Sequence, residues 1–123
     1  MTDPTYVLLY VDDPARSAAF YTDLIGRRPV ENSPTFALFV LGNGAKFGLW
    51  KRDDIRPAAT GAPGSSEICF ALEDKALVTK THRDWAERGL PIVQEPTDLD
   101  FGHTFVALDP DGHRLRVFSP SAR

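Results

Sequence analysis

Apolar and polar positions along this chain follow one pattern, stated twice. A nearly unbroken apolar, β-prone run from Tyr6 to Val11 reads as a strand buried on both faces. The period then lengthens. Ala15, Ala18, Ala19, Tyr21 and Leu24 predict a helix to about Ile25, with Asp13 as N-cap, Pro14 in the first helical position and Gly26 as the stop. Phe36 to Leu41 and Lys46 to Lys51 predict a hairpin around Gly42-Asn43-Gly44. The second statement begins with a buried strand, Glu67 to Leu72. A helix from Lys75 to Arg88 follows, with Leu77, Val78, His82 and Trp85 on one stripe and Gly89 as its stop. A short strand, Pro91 to Gln94, precedes a last hairpin of His103 to Leu108 and His113 to Phe118.

The two statements are in register. Val11-Asp12-Asp13-Pro14-Ala15 returns 61 positions later as Leu72-Glu73-Asp74-Lys75-Ala76. The turn glycines Gly44 and Gly112 are 68 apart, so the second half carries a longer insert, roughly Glu95 to Gly102. Between the halves, about Arg52 to Ser65 is rich in Pro, Gly, Ala and Ser without periodicity and reads as a linker. The prediction is an α+β chain of two tandem βαβββ modules, about 5–51 and about 66–119, within a single domain 1–123.

Composition narrows the partners. A formal net charge of −3, with no run of Lys or Arg, argues against nucleic acid. No apolar run approaches the roughly 20 residues of a membrane span, so no membrane partner is expected. Met1-Thr2-Asp3-Pro4 places a charge where a secretory leader would turn apolar, and a cytoplasmic protein is the expectation. Cys69, the one cysteine, excludes an internal disulfide and a Cys-rich metal site. Between Ile68 and Phe70 it reads first as a small buried hydrophobe.

The opening Asp-Asp-Pro-Ala-Arg-Ser-Ala-Ala-Phe-Tyr from Asp12 and the turn Asp109-Pro110-Asp111-Gly112-His113, set in two βαβββ units, resemble the vicinal oxygen chelate superfamily (glyoxalase/bleomycin resistance/dioxygenase-like). The resemblance implies the glyoxalase/bleomycin resistance fold, with modules forming a U-shaped cleft completed in a homodimer. A narrower likeness runs through Ala45 to Trp50, Ser66-Glu67-Ile68, Glu95 to Asp98, Phe101 to Phe105 and Asp109 to Val117. These segments are similar to the phenazine-antibiotic resistance binding proteins, which hold a planar tricyclic drug without metal.

Metal-using members of the superfamily take ligands from the first and last strand of each module. The matching positions here are Tyr6, Gly48, Glu67 and Arg116. Glycine has no donor, arginine is a permanent cation, neutral tyrosine is a poor ligand, and one carboxylate does not retain a divalent ion. His82, His103 and His113 stand at neither HxxxH nor HxH spacing. No metal and no cofactor are expected. Glu67 and Arg116 are expected to pair, either to neutralise each other or to meet a ligand as well.

Strand alternation fills in the rest of the expected ligand-binding set. Leu8 and Tyr10 follow Tyr6, Trp50 follows Gly48, Cys69 follows Glu67, and Arg114 and Phe118 flank Arg116. Either Phe36 and Leu38 or Ala37 and Phe39 come from the middle strand. Gly48 is expected to leave open space beside Trp50, a stacking wall for a flat ligand. The resemblance adds Phe101, beside the pocket, and His103. The expected function is a metal-free binding protein that sequesters a planar aromatic antibiotic or metabolite. The alternatives are a metal-dependent lyase, isomerase or dioxygenase, and metal-free catalysis with Glu67 as base, His103 or Tyr6 as acid and Arg116 as stabiliser.

Overall fold

The computed structural model describes residues 1–121. The expected domain, 1–123, ends on Ala122 and Arg123, which lie outside the described residues. The chain divides into two compact units, one of Met1–Gly61 and one from Ala62 onward. Each is a βαβββ module, as the doubled pattern predicts.

In the first unit, β1 (Tyr6–Val11) leads into α1 (Pro14–Ile25), then β2 (Glu31–Asn32), β3 (Phe36–Val40) and β4 (Lys46–Lys51). The sheet order is β1-β4-β3-β2, with β1 parallel to β4. The Asp13 carboxylate accepts from the Ala15 and Arg16 amides at 3.1 and 3.3 Å, a cap worth about 1 kcal/mol. Gly26 ends the helix at φ 67°, a left-handed conformation that a side chain would strain.

The helix α1 covers one sheet face. Leu9, Val11, Ala37, Phe39, Phe47 and Leu49 are buried there, with Ala18 and Tyr21 of the helix upon them. Tyr21 meets Phe47 edge-on at 4.9 Å. The register pairs Leu8 with Gly48 and Gly48 in turn with Leu38, and Tyr10 with Trp50 and Trp50 in turn with Phe36. The opposite face therefore carries Phe36 and Leu38, which resolves the parity of the middle strand. β1 is not buried on both faces: Tyr6, Leu8 and Tyr10 are 57, 38 and 37% exposed. One helix covers one face, and an apolar strand sequence does not itself supply a second cover.

After β4 a 3-10 turn (Arg52–Asp54) opens the linker. This stretch is better anchored than its composition suggests. Ile55 is buried, and the Arg52 guanidinium donates to the Gly61 carbonyl at 2.6 Å.

In the second unit, β5 (Glu67–Ala71) is followed by α2 (Lys75–Glu87), β6 (Ile92–Leu99), β7 (Gly102–Leu108) and β8 (Arg114–Pro120). The order is β5-β8-β7-β6, with β5 parallel to β8. Asp74 caps α2 through the Leu77 amide at 2.8 Å. Val78 and Trp85 seat the helix, and Trp85 stands edge-on to Phe70 and Phe105 at 5.8 and 5.5 Å. Leu77, expected on that stripe, is exposed because the helix turns the Val78–Trp85 line inward. β5 repeats the lesson of β1: Glu67, Cys69 and Ala71 are exposed while Ile68 and Phe70 face the helix side.

The insert from Glu95 is strand rather than loop. β6 runs on to Leu99 through two register shifts against β7, one between Ile92 and Gln94 and one between Gln94 and Thr97. Pro96 is tolerated because β6 is an edge strand, where a missing amide donor leaves no partner unmet.

Candidate functional site

The face of the second sheet turned away from α2 gathers most of its chemistry onto β8. Alternation puts exposed Arg114 and half-buried Arg116 and Phe118 on one side while Leu115, Val117 and Ser119 are buried on the other. The parallel register sets Glu67 opposite Arg114 and Cys69 opposite Arg116. Arg116 does not engage its register partner. It reaches diagonally to Glu67, donating from Nε to Oε1 at 2.8 Å and from Nη2 to Oε2 at 2.9 Å. This is the bidentate fork that a carboxylate matches best.

The other side of the guanidinium is also occupied. Nη1 lies 3.2 Å from Gln94 Oε1 on β6 and 3.2 Å from Thr104 Oγ1 on β7. Thr104 is itself fixed, donating to the Val117 carbonyl at 2.9 Å. The Phe101 ring, in the turn between β6 and β7, has the guanidinium carbon 5.6 Å from its centroid and meets Phe118 edge-on at 5.8 Å. The cluster thus joins Glu67, Cys69, Phe101, Arg116 and Phe118 of the expected site, and adds Gln94 and Thr104. Thr104 is legible as a lone hydroxyl in the apolar strand of Phe105, Val106 and Ala107 with the parity of the ligand face. Gln94 carries no comparable signal, because register shifts disturb the parity of β6.

The electrostatics follow the geometry. The hydrogen bonds from Arg116 hold the Glu67 carboxyl below its ordinary range, against an opposing effect of burial; Arg114 adds a smaller push in the same direction. Glu67 reciprocally raises Arg116. Cys69 is an exposed thiol, not the buried hydrophobe its strand suggests, because it shares the parity of Glu67. Partial burial and then the Glu67 charge push it up, and its Sγ lies 3.9 Å from Glu67 Oε1 as a donor.

His103 stands elsewhere. It pairs with Ser119 in the β7–β8 register and shares the parity of Phe105, so it lies on the helix side of the sheet. Its Nδ1 is 2.8 Å from Asp98 Oδ1, and Lys75 Nζ reaches the same oxygen at 3.2 Å. The structure therefore separates His103 from the Glu67–Arg116 face. Sequence parity, read from buried Phe105 two residues on, already carried that separation.

On the first unit the uncovered face brings together Tyr6, Leu8, Gly48 and Trp50. Lys46 Nζ lies 5.4 Å from the centroid of the Tyr6 ring. Trp50 is partly exposed and meets Phe36 edge-on at 6.3 Å. Gly48 leaves no open space. A Cβ built there would stand 2.5 Å from Leu8 Cδ2 and 3.2 Å from the Phe36 ring. Leu8 and Phe36 have closed over the glycine.

The four positions do not fit a metal. Gly48 has no donor atom, Tyr6 lies under an ammonium group, and Arg116 occupies both oxygens of the one carboxylate. Among the described residues no three His, Cys, Asp or Glu side chains converge. No helix among them is long and apolar enough to cross a membrane.

The sequence profile of the Glyoxalase/Bleomycin resistance protein/Dioxygenase superfamily matches residues 4–117. The phenazine antibiotic resistance protein EhpR of Enterobacter agglomerans is 32% identical over 117 residues, 93% of this chain and 89% of that one. The solution structure of protein ATC0852 from Agrobacterium tumefaciens is 47% identical, with a TM-score of 0.92 over 99% of this chain and all of that one. A glyoxalase-related enzyme from Fulvimarina pelagi is 20% identical, with a TM-score of 0.83 over 97% of this chain and 88% of that one, a likeness of fold alone.

Proposed function

The chain belongs to the Glyoxalase/Bleomycin resistance protein/Dioxygenase superfamily, and from that premise we propose that it is a metal-free protein that binds and sequesters a planar aromatic antibiotic or metabolite. The observation that carries this reading is the Arg116–Glu67 fork. It fills the place of a metal ligand pair with a closed ion pair and leaves aromatic surface as what each sheet face offers. Those surfaces are Trp50 with Phe36 on the first unit and Phe101 with Phe118 on the second. Ring stacking adds roughly 0.5–1.5 kcal/mol per pair to the burial of a flat ligand. The likeness to a phenazine antibiotic resistance protein supports the same ligand class.

Metal-free catalysis loses its parts in this arrangement. A base must accept a proton, and Glu67 is held as a carboxylate by Arg116. His103, one of its two expected acids beside Tyr6, is on the other face. In this reading the protein works as a homodimer in the cytoplasm. The exposed apolar residues Tyr6, Val7, Leu8 and Tyr10 support self-association, and the free thiol of Cys69 suits a reducing compartment. Light scattering that finds only monomer, or fractionation that finds the protein outside the cytoplasm, counts against these two points.

Titration with phenazine, followed by tryptophan quenching and by calorimetry, tests the central claim. Saturable binding supports it. Unquenched emission together with no heat of binding overturns it.

A further inference from the structure

We propose that the helix side of the second sheet carries a second, hydrolytic site, in which Ser119 accepts the acyl group of a small neutral ester with His103 as its base. The site lies on the opposite sheet face from the Glu67–Arg116 cluster and does not depend on the binding function proposed above.

Strand register builds it. Asp98 on β6 pairs with His103 on β7, and His103 pairs with Ser119 on β8. Ser119 shares the parity of buried Leu115 and Val117, so it faces the helix side as His103 does. Facing residues of an antiparallel pair hold their Cβ atoms roughly 4.5–5.5 Å apart. A carboxylate, an imidazole and a hydroxyl therefore stand in one row across three adjacent strands. The row borders a recess of about 320 Å³, room for a short acyl group. Glu73 and Asp74 also border it, and their charge favours a neutral ester over an anionic one.

The protons in the row are ordered. Hydrogen bonds from His103 first and Lys75 second hold the Asp98 carboxyl below its ordinary range, so it only accepts. The proton of the 2.8 Å contact therefore sits on His103 Nδ1, and the lone pair is on Nε2. Nε2 has no partner among the described residues. Ser119 is 4% exposed and lines the recess, and its hydroxyl also has no partner among them. A buried hydroxyl left unpaired costs free energy, and this one stands beside an imidazole with a free lone pair. A carboxylate that fixes the tautomer, an imidazole base and a hydroxyl are the parts of an activated nucleophile. No hydrogen bond joins Ser119 to Nε2 in the free protein; such contacts often tighten only around a substrate.

In the first step Ser119 Oγ bonds to the ester carbonyl carbon while its proton passes to His103 Nε2. The bond from that carbon to the leaving oxygen breaks, and the imidazolium gives the proton to the departing alcohol. Water then attacks the acyl-serine, losing a proton to Nε2. That proton returns to Ser119 Oγ as the carboxylic acid leaves. Asp98 is a positioning residue, since it acts through the ring.

The probe is p-nitrophenyl acetate, with diisopropyl fluorophosphate as a covalent trap, on the full chain. The wild type is expected to release p-nitrophenolate with an initial burst, the mark of an accumulating acyl-enzyme. Peptide mass spectrometry is expected to find the trap on Ser119. His103→Gln and Ser119→Ala should each lower the rate about 100-fold, the low end of what a positioned base contributes. Asp98→Asn should lower kcat at unchanged KM, a loss confined to the transition state. No label, a label elsewhere, or a rate that survives Ser119→Ala overturns the site. An unchanged kcat in Asp98→Asn overturns the role of Asp98. The trap reads the wild-type chain, so a variant that fails to fold cannot mask the result.

Discussion

Arg116 passes over Cys69, its partner in the β5–β8 register, and takes both oxygens of Glu67 two residues away. The diagonal reach sets up the whole face. It places the guanidinium between β5 on one side and Gln94 and Thr104 on the other, so one side chain ties all four strands of the second sheet.

Arg116→Met is therefore expected to destabilise the fold by about 1–3 kcal/mol, because Glu67, Gln94 and Thr104 lose their partner together. The pair is not fully buried, at 16 and 28% side-chain exposure, which keeps the effect at the lower end. The double variant Glu67→Gln/Arg116→Met should recover part of the loss, since no lone charge remains. Chemical denaturation of the wild type, Glu67→Gln, Arg116→Met and the double variant checks this, and additive losses would refute the coupling.

The same pair predicts a pH dependence. The folded Glu67 carboxyl lies below its ordinary value of 4.5. A depressed carboxylate contributes stability that is fully present above the unfolded value and is lost as pH falls through the folded one. The stability gap between wild type and Glu67→Gln should be flat near neutrality and narrow below about 4.5. A gap that widens on acidification contradicts the assignment.

Cys69 gives an independent readout of Glu67. Its thiol lies above the ordinary value of 9.0, raised by burial first and by the Glu67 charge second. The thiolate is the reactive form, so alkylation by iodoacetamide should be slow at neutral pH and climb only in the alkaline range. Glu67→Gln removes the carboxylate charge beside the thiol and should speed alkylation at a given pH. An unchanged rate in that variant means the carboxylate does not act on the thiol.

Much of this was legible in the residues. Asp13 with Pro14 and Gly26, and Asp74 with Gly89, bound the helices because capping is a local interaction that the sequence carries whole. The Glu67–Arg116 pairing followed from the resemblance, which puts both residues at metal-ligand positions of the second module. What the sequence did not carry was cover. Tyr6, Leu8 and Cys69 sit in apolar runs yet are exposed, because burial depends on which element lies over a face and not on the strand alone. The closure of Leu8 and Phe36 over Gly48 is a packing event between three strands, invisible to alternation. β6 escaped because Pro96 reads as a break, and only its edge position makes it acceptable.

The two tryptophans separate binding from stability. Trp85 is 6% exposed and lies against Phe70 and Phe105 in the core of the second unit. Trp85→Ala should cost about 3–5 kcal/mol of stability, the range for deleting a large buried ring, with no direct loss of affinity in the molecules that remain folded. Trp50 is partly exposed, touches Phe36 edge-on and has one face of its sheet free of the helix. Trp50→Ala should weaken a planar aromatic probe such as phenazine by roughly 1–3 kcal/mol, through lost stacking and lost apolar burial. Its effect on stability should be smaller than that of Trp85→Ala, because less of the ring is removed from water in the unliganded protein. Denaturation curves and probe titrations on both variants give the four numbers needed. The opposite ordering, with Trp50→Ala unfolding the protein and leaving affinity intact, makes Trp50 a core residue and removes the first unit from the binding surface.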